Sequence, residues 1–140
     1  MLTSFGALSA EIPDGWTDDS TMVFSLPERS KDGHGKANIT LTWEKASVTD
    51  PGEYLTARLR RLPKVLDRYK ATSRGDHGSG AQSIPYVEHT FGKEVPMTQM
   101  VMAKLVGEQM VCITGTALTG AYGEVRERFI HIGRSVGPKR

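Results

Sequence analysis

The 140-residue chain has one cysteine, Cys112. No intrachain disulfide can staple it, and no second thiol or cluster of histidines lays out the ligands of a structural metal. Nowhere does it hold about 18 consecutive apolar residues, the length a membrane-spanning helix needs. Its opening lacks a basic stretch and a continuous apolar stretch, because Ser4, Gly6, Ser9 and Glu11 interrupt it, so it does not read as a secretory leader. The expectation is a soluble, cytoplasmic protein without direct membrane insertion. Excess charge is also scarce. Eighteen Lys and Arg stand against 16 Asp and Glu, and the basic residues are scattered except for Arg58, Arg60, Arg61, Lys64, Arg68 and Lys70, so nucleic acid is not an expected partner.

Motifs that carry chemistry are missing too. No G-x-S-x-G or comparable nucleophile context occurs. Cys112 lies inside an apolar strand and reads as a small buried hydrophobe. His34 and His77 fall in loops, His89 in a strand and His131 in a helix, without metal-like spacing. Gly75-Asp76-His77-Gly78-Ser79-Gly80 lacks the Lys-Ser/Thr of a phosphate loop, and no helix opens after it. Asp14, Asp18 and Asp19 form an acidic turn without the rest of a calcium loop. An enzyme is not expected, nor a cofactor.

What is present is the pattern of one ordinary-sized domain over residues 1–140. Residues 2–13 and 21–27 read as a hairpin through the Ile12-Pro13-Asp14-Gly15-Trp16 corner, where Pro fixes one φ and Gly permits a positive one. Glu28–Gly35 is polar loop. In 36–45, Ala37, Ile39, Leu41 and Trp43 alternate with Asn38, Thr40, Thr42 and Glu44, the period of a strand with one buried face. Asp50-Pro51 then supplies an N-cap and a proline at the first helical position, and Leu55, Leu59, Leu62, Leu66 and Tyr69 recur at helical spacing. Pro63 predicts a kink or an end within 62–67. Strands follow at 69–75, 83–92, 96–106 and 109–118, the last two joined by a hairpin at Val106-Gly107-Glu108-Gln109. A closing helix after Tyr122-Gly123 carries Val125, Phe129, Ile132 and Val136 on one stripe. The order predicts an α+β fold, an antiparallel β-sheet with two helices packed on one face, which leaves the other face uncovered.

Strand parity says what that uncovered face would hold. With Ile39, Leu41 and Trp43 turned to the helices, Asn38, Thr40 and Thr42 turn outward; Thr21, Val23 and Ser25 join them, with Gln99 and Val101 from a later strand. Small β-branched side chains interleaved with hydroxyls and amides suit an apolar segment that still needs hydrogen-bond partners. A membrane-destined helix is such a segment.

The I-P-D-G-W corner, the strand ending Phe24-Ser25-Leu26-Pro27, the Ala37–Trp43 strand, Tyr54-Leu55 followed by Arg58-Leu59, Thr98-Gln99-Met100 and the final helix together resemble the DcrB-related domains, specifically the effector-associated (Eag) chaperones of bacterial type VI secretion. Their architecture is shared with Mog1 and PsbP-like domains. The resemblance implies a cytoplasmic homodimer that shields N-terminal transmembrane helices of a secreted, PAAR-containing effector toxin and aids its loading on the secretion spike. It also implies Thr21, Val23, Asn38, Thr42, Arg58 and Gln99 as client-facing residues. Thr21, Asn38 and Arg58 stand where that group carries an apolar residue, a serine and a glutamine. The competing reading is a PsbP/Mog1-like protein-binding module that uses the basic helix around Arg58, Arg60 and Arg61.

Overall fold

Alternation along the strands, and the places where it breaks down, set the architecture. The computed structural model describes residues 2–5, 8–11, 14, 21–25 and 37–138. Strands β1 (Leu2–Phe5) and β2 (Leu8–Glu11) pair antiparallel as a two-stranded sheet. The remaining strands are β3 (Thr21–Ser25), β4 (Asn38–Lys45), β5 (Lys70–His77), β6 (Ile84–Phe91), β7 (Met97–Val106) and β8 (Gln109–Leu118). They form a six-stranded sheet in the order β3-β4-β8-β7-β6-β5, every pairing antiparallel. The helices are α1 (Pro51–Leu59), the short α2 (Leu62–Val65) and α3 (Thr119–Ser135).

Much of the local chemistry is as expected. Asp50 caps α1 by accepting from the Gly52 amide at 3.1 Å, and Pro51 opens the helix. The chain breaks after Leu59, and Pro63 sits in the first turn of α2, where its missing N–H costs nothing. The β7–β8 hairpin turns through Gly107 at a φ of 60°, a conformation glycine adopts without strain.

Three expectations need correction. The hairpin of 2–13 with 21–27 does not form: β2 pairs with β1, and β3 pairs with β4. Of the corner that was to join them only Asp14 is described, an exposed turn residue, and the Glu28–Gly35 loop lies outside the described residues. Second, α3 begins at Thr119, ahead of Tyr122-Gly123, and His77 is the last residue of β5 rather than part of a loop.

Third, the two long helices lie on opposite faces of the sheet. Met100, Met102 and Ile113 share a buried cluster with Tyr122, Val125, Phe129 and Ile130 of α3. Val87, Val101, Ala103, Met110 and Cys112 share another with Leu55 of α1. Successive residues of a strand point to opposite faces, so neighbours such as Val101 and Met102 cannot serve one helix layer. The central strands are apolar on both parities, and each face therefore needs its own cover. Burying Leu55, 1% exposed, is worth about 2 kcal/mol to the α1 side.

Candidate functional site

The sheet register assembles the α1 face in rows. Ser25, Asn38, Thr116, Gln99 and His89 lie side by side across β3, β4, β8, β7 and β6; the next row is Val23, Thr40, Thr114, Val101 and Val87, and the third Thr21, Thr42, Cys112 and Ala103. Helix α1 packs over β6 and β7, at the Val87, Val101 and Ala103 end of these rows. The β8, β4 and β3 end is a strip of Thr114, Thr116, Thr40, Thr42 and Asn38, all half-buried, with Thr21 and Val23 exposed at the edge. The strip is a floor and α1 is a wall standing along one side of it.

The wall is charged where it meets the floor. Arg58 Nη1 donates to the Tyr54 hydroxyl at 3.1 Å, and its guanidinium lies 5.9 Å from the centroid of the Tyr54 ring. Burial, with Cys112 and Glu44 nearby, pushes the Tyr54 phenol up to about 12 against the opposing pull of Arg58. Burial works against the Arg58 charge, yet Cys112, Tyr54 and Glu44 outweigh it and raise its pKa. Burial raises the Cys112 thiol as well, although Arg58, Thr114 and Tyr54 favour the thiolate. The wall therefore offers a fixed cation and a neutral phenol over a neutral thiol, which is recognition chemistry rather than a nucleophile.

At the covered end of the first row, His89 is fully buried. Its Nε2 lies 2.8 Å from Gln99 Oε1, and Gln99 Nε2 donates to Thr116 Oγ1 at 3.0 Å. Tyr69 and Phe91 flank the imidazole, with ring centroids 5.0 Å and 6.1 Å away, and burial lowers its pKa.

Of the eight residues singled out from sequence, Thr21, Val23, Asn38, Thr40, Thr42 and Gln99 share this strip and its first row, and Arg58 rises from the wall beside them. Val101 does not belong to the open surface. It is 3% exposed and forms core beneath α1, which corrects the expectation that its face would be bare along the whole of β7. Sequence reasoning missed Thr114, Thr116, Tyr54 and the part played by His89. The signal for the threonines was present, because Cys112, Thr114 and Thr116 alternate with Ile113, Gly115 and Ala117. The cations Arg60 and Arg61 between α1 and α2, Lys64 on α2 and Arg68 beyond it are all exposed. Among the described residues no three of His, Cys, Asp and Glu come together as a metal would require, and no helix is long and apolar enough to cross a membrane.

No protein-family model matches the chain, and no curated protein does either. Solved structures do. Pseudomonas aeruginosa PA94, a protein of unknown function, aligns over 100% of this chain and 97% of its own with a TM-score of 0.73 at 16% identity. LpqN of Mycobacterium tuberculosis, involved in cell envelope biogenesis, aligns over 87% and 85% with a TM-score of 0.50 at 14% identity. The cyanobacterial PsbP protein CyanoP of Synechocystis sp. PCC 6803 gives 0.49 at 9% identity over 89% and 96%. At these identities the likeness to PA94 and LpqN is one of fold, and fold does not carry role with it.

Proposed function

We propose that the protein is a cytoplasmic chaperone or adaptor whose β8-β4-β3 strip cradles an apolar helix of another polypeptide. The client would be the N-terminal transmembrane region of a PAAR-containing type VI secretion effector, held until it is loaded on the spike. The observation that carries the reading is the strip itself: hydroxyls, an amide and Val23 left open beside the α1 wall, on the face whose β6-β7 part that helix covers. Its size fits one helix. Two inter-strand spacings with side-chain margins make a floor about 10 to 15 Å wide, and the eight residues of β4 run for about 26 Å. An α-helix is about 10 Å across, and about 17 of its residues fill that length. Thr and Asn side chains would supply the interhelical contacts that such a helix later makes in lipid, with Arg58 at the rim. The resemblance of the sequence to effector-associated chaperones supplies the secretion context. A homodimer would cover β3, an edge strand whose Met22, Val23 and Phe24 are 46%, 60% and 51% exposed.

Co-expression with a candidate toxin N-terminus tests the reading. The intact protein should keep that segment soluble, and the double change Val23→Asp with Gln99→Ala should abolish the rescue while leaving the thermal transition in place. Rescue that is unchanged in the double variant would sink the proposed strip. Capture that collapses with salt and ignores Val23 would favour the basic face of α1 and α2 instead.

A further inference from the structure

We propose that the buried His89 is a positioning residue that fixes the direction of the Gln99 amide, so that the client strip presents hydrogen-bond donors and selects helices offering acceptors. This rests on the strip being the client site. An amide oxygen only accepts, so the 2.8 Å contact with Gln99 Oε1 requires a proton on His89 Nε2. The Gln99 amino group is thereby turned away from His89 and donates to Thr116 Oγ1 at 3.0 Å. That hydroxyl, its oxygen already accepting, has its own O–H left to donate, beside Asn38, its neighbour in register.

Turning the amide over would reverse the chain, and the surroundings of His89 disfavour that. The Gln99 amino group would then face the imidazole, forcing the proton onto Nδ1. Nδ1 is buried and has no hydrogen-bond partner among the described residues, in an imidazole flanked by Tyr69 and Phe91. An orphaned N–H in such a place is rarer and costlier than a bare ring nitrogen. Burial also lowers the His89 pKa, outweighing the Gln99 hydrogen bond that would raise it, so the neutral ring with one proton is the form present at neutral pH. The strip therefore suits Ser and Thr hydroxyls and the main-chain carbonyls laid bare beside small residues.

The test pairs spectroscopy with synthetic helices: lysine-ended alanine–leucine peptides carrying either O-methylserine, whose ether oxygen accepts but cannot donate, or alanine at the centre. Nitrogen-15 NMR of the free protein should show His89 protonated at Nε2 and the Gln99 amino protons slowed in exchange. The O-methylserine peptide should bind the wild-type protein about three- to tenfold more tightly than the alanine peptide, the worth of one hydrogen bond. Gln99→Glu puts an acceptor at both ends of the relay and turns the Thr116 hydroxyl inward; His89→Phe removes the anchor and preserves the aromatic packing. In both variants, once thermal melts show them folded, the O-methylserine preference should vanish. A proton on Nδ1 overturns the relay whatever the peptides do. A preference that persists in both variants overturns the selection by donors and leaves client binding intact. Failure of the wild-type protein to bind either peptide overturns the client reading itself.

Discussion

Arg126 holds Glu88 with two parallel hydrogen bonds, Nε to Oε2 at 2.9 Å and Nη2 to Oε1 at 3.0 Å, and so pins α3 to β6. The Tyr122 hydroxyl donates to the same carboxylate. Glu88 is 6% exposed, a depth at which a carboxylate persists only when paired. Burial alone would raise its pKa; the hydrogen bonds from Arg126 and Tyr122 outweigh that and hold it below 4.5. Arg126→Ala should therefore cost about 2 to 3 kcal/mol, somewhat less than a fully buried pair because the arginine reaches solvent. Tyr122→Phe should cost about 1 kcal/mol. Urea denaturation of both variants checks the ranking.

Acid should weaken the protein in two stages. Burial lowers the pKa of His77 and of His89 below 6.5, Arg126 adding to the effect at His77, so the unfolded chain takes up protons first and stability falls as pH drops below that value. Glu88 works lower. Its contribution is complete above 4.5 and is lost as pH falls through its depressed native value. Urea midpoints from neutral pH down to about pH 5 should decline, and His89→Phe should flatten part of that decline. An unaltered slope in the variant would show that His89 is solvated or already paired with an acid.

Cys112 reports on the α1 wall. It is 1% exposed and its thiol pKa is raised by burial, so a thiol reagent should label it only on unfolding or when α1 lifts. Leu55→Ala removes the main apolar anchor of that helix and should cost about 3 kcal/mol while accelerating labelling. Fast labelling of the native protein would mean that the wall is not closed in solution.

Two glycines on the α3 face should respond differently to alanine. A Cβ on Gly115 would run into the Phe129 ring, a rigid group; one on Gly133 would meet the sulfur and terminal methyl of Met102, the far end of an unbranched, adaptable side chain. Gly115→Ala should destabilise by about 1 to 3 kcal/mol. Gly133→Ala should come out near neutral, because the gain of about 1 kcal/mol in helix propensity offsets the crowding. Thermal melts of the pair decide it.

Local rules were legible in the chain. Asp50-Pro51 set the start of α1, Pro63 its break, Gly107 the last hairpin, and the period of two from Ala37 to Trp43 gave β4 its buried and open faces. The face that carries the candidate site was legible for the same reason, since parity is a property of the backbone: Thr40, Thr42 and Asn38 had to share a side. The opposite placement of the helices had a weaker sign. Met100-Val101-Met102-Ala103 and Met110–Ile113 do not alternate, as befits strands covered on both sides, whereas β4 alternates because α1 stops short of it.

Sequence alone settled most of the strands, the start of α1 and which side chains travel together, because propensity, capping and pleat act over a few residues. Only the tertiary structure decided that α1 crosses to the Gln99 side, that Val101 is swallowed there while Thr40 stays open, and that His89 meets Gln99 across a strand pair. Those outcomes depend on which distant surfaces bury each other, and the burial of apolar area has no direction that a short stretch of chain could encode.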